Sequence, residues 1–252
     1  VLLFGLADDA QKDFQGSEAY NDGGTVQRAI SAVKNKFPDL VVAADACVCA
    51  YTDHGHCGPL TESGNVDNDA AIENLAKICA SHANAGADIV APSAMMDGQI
   101  KAIREGLDSK GWKDTILMSY STKFASSMYG PFRDAEKSKP GQGDRKAYQA
   151  SFGDLRTAIR ESEFDEAEGA DMLMIKPSLF YLDILAELRA NTDLPLAAYN
   201  VSGEYSMLHA TAQRGWGDLK GMVQESTAAL VRAGADILIS YWANQYNELF
   251  ND

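Results

Sequence analysis

Basic residues are scarce in this chain. Lys and Arg number 22 against 36 Asp and Glu, a formal net charge of −14 over 252 residues. So acidic a chain repels phosphate backbones at long range, which disfavours nucleic acid as a partner. Long hydrophobic runs are lacking too. No apolar stretch reaches the ~18 residues of a transmembrane helix, so no membrane partner is expected. No signal peptide or transit segment opens the sequence, which begins without Met on the apolar run VLLFGL. Low-complexity tracts and domain linkers are absent. Cysteine is limited to four residues, three of them within eleven positions, Cys47, Cys49 and Cys57. Clustered thiols in a reducing, cytoplasmic setting bind metal or do chemistry more often than they form disulfides.

With 46% apolar and 23% charged residues the chain can fill a core. Seven short apolar runs recur along it, at 1–6, 39–46, 87–93, 115–121, 170–178, 194–202 and 235–242. Runs apolar on consecutive positions are strands of a parallel sheet buried on both faces. Amphipathic helical patterns separate them, among them 25–36, 67–84, 154–167, 180–190 and 217–232. Strand–helix alternation over this length predicts an α/β fold, a TIM (β/α)8 barrel in a single domain, residues 1–252. Seven strands leave one βα unit to be expected ahead of Val1. The tripeptide Gly-Ala-Asp recurs at 86–88, 169–171 and 234–236, each time before a strand. Its Gly suits the left-handed position that closes a helix. Cys79 falls on the stripe Ile72, Leu75, Ala76, Cys79 and is expected in a helix core.

The segment 124–148 breaks the rhythm. It holds Gly130, Pro131, Pro140, Gly141 and Gly143, with Arg133, Lys137, Lys139, Arg145 and Lys146. A long basic loop on an acidic protein is either a solvated surface or a lid that brings Arg side chains to an anionic substrate.

In a barrel, chemistry sits at the C-terminal ends of the strands. There the sequence places Asp45 and the three cysteines, then Ser93, then Ser119, Ser121 and Lys123, then Lys176, Ser202 and Tyr241. Lys176 lies inside the run MLMIKP. An enclosed Lys is either paired to a carboxylate or a Schiff-base nucleophile whose neutral amine attacks a carbonyl. Lys123 on the neighbouring strand would help to deprotonate it, although spacing alone also allows Lys123 at the surface. The pattern C-x-C-x₇-C offers three thiolates to Zn²⁺ and leaves a fourth position open, as in catalytic zinc sites. His54 and His56 are interleaved and could compete as ligands. His82 and His209 have no such context and are expected to be structural.

The stretches DACVCAYTDHGHCG, APSAMMDGQ, MSYSTKFASSMYGPFRDA, GDRKAYQ, EGADMLMIKP, YNVSGEYSML and GADILISYW resemble the porphobilinogen synthase (5-aminolevulinate dehydratase) family. They follow the family's order from Leu3 to about Leu249. The resemblance implies a TIM barrel that condenses two molecules of 5-aminolevulinate into porphobilinogen with loss of two waters, in heme and tetrapyrrole biosynthesis. It implies that Lys176 forms the Schiff base with the first substrate and that Lys123 binds or activates the second. Asp45 stands where the family keeps a carboxylate near the reacting centre. Cys47, Cys49 and Cys57 would hold a catalytic Zn²⁺. Arg133, Arg145 and Gln149 would hold the second substrate's carboxylate, and Ser202 and Tyr241 the first's. The family's assembly implies a homo-oligomer, an octamer. Its N-terminal arm and first strand are absent from this sequence. Many relatives also bind an allosteric Mg²⁺ through a Glu in the helix before E-G-A-D; the matching position here is Thr157, which supplies no carboxylate. Where some relatives carry an acidic residue after Pro-Ser, this chain has Ala94.

Two other readings compete. A class I aldolase-like barrel would use one Schiff-base Lys and leave the cysteines, the second Lys and the lid arginines idle. A non-catalytic zinc scaffold would need a fourth protein ligand, which only His54 or His56 could supply.

Overall fold

All seven apolar runs become strands in the computed structural model, which describes residues 1–136, 141 and 143–251. They are β1 (Leu2–Leu3), β2 (Ala43–Ala46), β3 (Ile89–Pro92), β4 (Ile116–Lys123), β5 (Met172–Lys176), β6 (Leu196–Tyr199) and β7 (Ile237–Ile239). Every pairing is parallel and every strand lies beside its neighbour in sequence, from β1 to β7. Parallel neighbours require a crossover, and helices supply most of them. These are α1 (Thr25–Lys36), α2 (Asn68–Ala85), α3 (Gln99–Ser109), α4 (Gly130–Glu136), α5 (Leu155–Ala167), α6 (Leu182–Asn191), α7 (Ser202–Gln213) and α8 (Leu219–Ala233), with α9 (Tyr246–Phe250) after the last strand. Among the described residues no helix is long and apolar enough to cross a membrane.

The segment 124–148, expected as a loop, is helical in its first half. Ser126 caps a 3₁₀ turn at Ser127–Tyr129 by accepting from the Met128 N–H at 3.1 Å, and α4 follows. Pro131 lies in the first turn of α4, where the missing N–H has no helical partner to lose. Lys137, Lys139 and Pro140 lie outside the described residues.

Strand alternation divides the core in two. Leu117, Leu173, Ile175, Leu196 and Ala198 face outward and pack with the helices, together with Ile103 and Leu185. Ala43, Ala91, Met118, Tyr120, Met174, Ala197 and Tyr199 face inward and fill the barrel interior. Both faces are therefore buried, which is why these strands read as unbroken apolar runs. Cys79 packs in the outer layer, fully buried, as its stripe predicts.

The three Gly-Ala-Asp tripeptides form one device built three times. Each Gly has positive φ, 103° at Gly86, 102° at Gly169 and 118° at Gly234. Each Ala is buried. Each Asp turns back to the preceding strand and accepts a backbone N–H there. Asp88 takes that of Val42 at 2.8 Å, Asp171 that of Leu117 at 2.8 Å, and Asp236 that of Leu196 at 2.9 Å. A basic side chain from the helix one unit earlier meets each carboxylate. Lys34 lies 2.9 Å from Asp88, Arg104 3.7 Å from Asp171 and Arg189 3.0 Å from Asp236. The stem of that same side chain covers the glycine. Partly exposed pairs like these add little energy by themselves; the aspartates also satisfy a backbone N–H at the start of each strand.

At Gly234 an added Cβ would sit 2.7 Å from Arg189 Cβ, at a φ that L residues avoid. Gly234→Ala is therefore expected to lower unfolding stability by about 1–2 kcal/mol or more. Gly106, inside α3 with its nearest neighbour at 3.4 Å, has ordinary room. Gly106→Ala is expected to gain about 0.5–1 kcal/mol. Urea denaturation of both variants checks the pair; equal effects would remove the role assigned to the tripeptide.

Candidate active site

In β5 the inward positions are Met172, Met174 and then Lys176. In β4 they are Met118 and Tyr120, and simple alternation would bring Thr122 inward next. The register shifts between Ser119 and Thr122, where β4 holds one residue more than β5. At this bulge two adjacent residues both face α5. Ser162 Oγ lies 2.9 Å from Ser121 Oγ and 2.9 Å from Thr122 Oγ1. The phase of the strand flips, and Lys123 comes inward, paired in register with Lys176. Ser119 and Ser121, expected at the catalytic end with Lys123, face outward instead; Ser119 donates to Asp165 of α5.

Both lysines are buried, Lys176 at 4% exposure and Lys123 at 7%. Lys123 Nζ donates to the Ser93 carbonyl at 2.6 Å. Lys176 Nζ lies 4.1 Å from the ring centre of Tyr199 and 5.1 Å from those of Tyr120 and Phe132, with Phe4 and Tyr129 within 6 Å. Ring faces stabilise a desolvated ammonium and leave its nitrogen open to a reactant. Asp45, the next inward position after Ala43, faces both lysines. Burial pushes its carboxyl up, while Lys123, Lys176 and the hydroxyls of Ser93 and Tyr120 act against that.

The three cysteine thiols converge. The Sγ atoms of Cys47, Cys49 and Cys57 all lie within 4.8 Å of one another. Hydrogen bonds from Cys47 and Cys49 hold the Cys57 thiol well below its usual range. Cys47 is pushed well up by giving hydrogen bonds to Cys49 and Cys57 and by burial. Three thiols so close cannot all ionise without a cation among them. Neither histidine joins them among the described residues. His54 Nε2 pairs with the Phe14 carbonyl at 3.2 Å, and His56 Nδ1 with the Tyr148 hydroxyl at 3.1 Å. His82 is buried without a hydrogen-bond partner among the described residues, and burial lowers its pKa to about 4. His209 stacks on Trp242 with ring centres 5.0 Å apart. Both fit the structural role expected of them.

The segment after β4 closes over this site. Three consecutive residues of the cysteine spacer each bind it. Gly141 N–H donates to the His54 carbonyl at 3.1 Å, Arg145 Nη2 to the Gly55 carbonyl at 2.9 Å, and Tyr148 meets His56. Arg133 Nε and Gln149 Oε1 are buried without hydrogen-bond partners among the described residues. One small cavity joins Asp45, Cys49, Lys123, Lys176, Arg133, Arg145 and Gln149; its volume is about 20 Å³, room for a single water. Ser202 and Tyr241 do not line it. Ser202 Oγ accepts the Phe132 N–H at 3.1 Å, and Tyr241 packs on Tyr205 with ring centres 5.4 Å apart. A larger cavity of about 1150 Å³ lies on the other side of Gln149, between His56 and Glu161. Thr157, at its edge, is committed to the α5 cap through Asp154 at 2.7 Å.

A sequence model of the delta-aminolevulinic acid dehydratase family matches residues 1–249. This chain belongs to the delta-aminolevulinic acid dehydratase family. Among curated members of that dehydratase family, the Halalkalibacterium halodurans protein is 50% identical over 252 residues, covering 100% of this chain and 76% of its own. The Escherichia coli protein is 53% identical over 243 residues, covering 96% and 74%. A crystal structure of the Toxoplasma gondii dehydratase, in complex with its reaction product porphobilinogen, superposes with a TM-score of 0.96. It is 46% identical and covers 98% of this chain and 71% of that one. The match carries the TIM-barrel-like fold and the enzyme class to this member of the family.

Sequence reading missed the aromatic box around Lys176. Its members come from β1, β4, β6 and the segment after β4, and each reads locally as core. The signal was there in phase: Phe4, Tyr120 and Tyr199 continue the inward positions of their strands.

The bonds to His54, Gly55 and His56 are expected to hold the overlying segment closed. Tyr148→Phe and Arg145→Ala each remove one, so backbone exchange across 143–149 should quicken about 2- to 10-fold. Hydrogen–deuterium exchange measured by mass spectrometry checks this; unchanged exchange in both variants would show that other contacts keep the segment down.

Proposed function

We propose that this chain condenses two molecules of 5-aminolevulinate into porphobilinogen, releasing two waters, a step of tetrapyrrole and heme biosynthesis. The observation that carries the reading is the pair of buried lysines, Lys123 and Lys176, side by side in register and sharing one cavity with Asp45 and Cys49. The Lys176 amine attacks the first substrate's ketone carbon. A C=N bond replaces C=O, and the carbonyl oxygen leaves as water with two protons. Lys123 binds or activates the second substrate. Asp45, facing both lysines, is placed to take a proton from the attacking amine and return it to the leaving oxygen. Arg133, Arg145 and Gln149 grip the second carboxylate; the buried, unpartnered Nε of Arg133 and Oε1 of Gln149 favour this. Ser202 and Tyr241 grip the first, which requires the α4 segment to let go of Ser202.

Cys47, Cys49 and Cys57 suit Zn²⁺. Thiolates favour a soft cation over Mg²⁺, and three of them within 4.8 Å of one another would hold one such ion together. Bound there, zinc supplies a Lewis acid that polarises the second substrate. No carboxylate at Thr157 supports an allosteric Mg²⁺. The chain acts as one barrel domain with a lid at about 124–148, in a cytoplasmic homo-octamer. A Schiff-base aldolase would give the thiol cluster no part.

Borohydride added with 5-aminolevulinate should trap an adduct on Lys176, and the untreated protein should yield a pyrrole. An adduct only at other residues, with Lys176→Ala still active, would overturn the assignment.

Metal content read with turnover tests the zinc. Cys57→Ala is expected to lose bound zinc and most activity, and Cys79→Ala to keep both. Full activity in a zinc-free Cys57→Ala protein would end the catalytic-zinc reading.

A further inference from the structure

Ser202, Gly203 and Glu204 open α7, and each meets a different neighbour. Ser202 Oγ accepts the Phe132 N–H of α4. Gly203 lets the backbone of Met128 come so close that a Cβ would lie 2.4 Å from its carbonyl oxygen. Glu204 turns inward, at 0% exposure. One of its oxygens, Oε2, accepts the Val201 N–H at 2.8 Å and Asn200 Nδ2 at 3.3 Å. That is the ordinary work of a glutamate in the first turn of a helix. The other, Oε1, leaves the helix and accepts the Leu179 N–H at 2.7 Å, 25 residues back in the chain.

Those two partners are not arbitrary places. Leu179 lies three residues beyond Lys176, in the turn after β5. Val201 lies directly before Ser202, in the turn after β6. We propose that Glu204 is a positioning residue for the reaction: its carboxylate locks the turn that carries Lys176 to the turn that carries Ser202. The proposal rests on Lys176 being the Schiff-base nucleophile. The substrate bridges an amine at one turn and a carboxylate grip at the other, so the separation of the two turns must match its length. Ser202 also takes the backbone N–H of Phe132 in α4, whose ring roofs Lys176 at 5.1 Å. Nucleophile and grip are thus referred to one buried carboxylate, and the roof rests on the adjoining Ser202.

No Lys, Arg or His forms an ion pair with Glu204 among the described residues. Burial raises its carboxyl to about 7, and only backbone N–H groups of Val201, Leu179, Ser178 and Phe180 work against that. The rings of Tyr129 and Tyr181 also face it. Each oxygen accepts a backbone N–H from a different turn, bonds that are strongest to the anion.

Three variants of the whole protein test this: E204Q, E204D and, as a control on the same helix, L208A. Leu208 is buried against Trp242 and Val223, away from the lysines. Each is measured for thermal stability, for kcat and KM, and for the rate at which borohydride traps substrate on Lys176. E204Q is expected to slow trapping and kcat by about 10- to 100-fold, the cost of misplacing a reacting group by about 1 Å. KM should change less. E204D keeps the charge on a shorter stem and should be slowed by a smaller factor, which also covers the case of an E204Q protein that does not fold. L208A should lose stability while trapping at the unaltered rate. If E204Q and E204D trap as fast as the parent protein, or L208A is slowed as much as they are, Glu204 is an ordinary helix cap. If the parent protein itself traps nothing on Lys176, the nucleophile assignment falls and the proposal falls with it.

Discussion

Two lysine side chains side by side in a protein interior are the constraint around which this structure is arranged. A lone buried charge is strongly unfavourable, and two of the same sign repel each other as well. The surroundings answer this by direct contacts. Asp45 faces both, the Ser93 carbonyl takes a hydrogen bond from Lys123, and five aromatic rings surround Lys176. A carboxylate, a carbonyl and ring faces together lower the cost of burying the two lysines. The thiol cluster makes the same point with the sign reversed, since three sulfurs that cannot ionise together invite a cation.

The two ends of the strands carry different duties. At the entry end, three copies of Gly-Ala-Asp satisfy an N–H at the start of a strand, bind a basic side chain and close a helix. At the exit end stand the lysines, Asp45 and the cysteines; both lysines, Asp45 and Cys49 line one cavity. In barrels stability concentrates at one face and chemistry at the other. Here the separation can be followed residue by residue along β5 and its neighbours, where one β4–β5 crossover ends in Asp171 and the strand that follows ends in Lys176.

Much of this was legible in the chain itself. The strands were visible because burial on both faces leaves unbroken apolar runs, and the cysteines because three thiols in eleven residues rarely coincide. The placement of Lys123 was not derivable from alternation. Counting along β4 brings Thr122 inward, and only the extra residue at Ser121–Thr122 corrects the count; a bulge has no sequence mark of its own when its residues are Ser and Thr. The aromatic box was hidden for another reason: Phe4, Tyr120, Phe132 and Tyr199 are far apart in sequence and each is an acceptable core residue where it stands. The helix α4 was concealed by Gly130 and Pro131, which read as loop residues although a proline in a first helical turn breaks nothing. Glu204 carries no mark in the sequence that separates it from any first-turn glutamate, because the second partner of its carboxylate lies 25 residues away.

The smallness of the closed cavity bears on time as well as space. In this arrangement a volume of about 20 Å³ has room for a single water. With the proposed lid, an organic substrate enters and leaves when Arg145, Tyr148 and their neighbours have withdrawn from the cysteine spacer. On the function proposed above, each catalytic cycle then contains at least one opening, and its frequency is a ceiling on throughput however fast the chemistry proceeds. That ceiling is written in the hydrogen bonds to three backbone-adjacent residues, His54, Gly55 and His56. Selection on speed would act on this hinge of the kinetics without touching a single reacting atom.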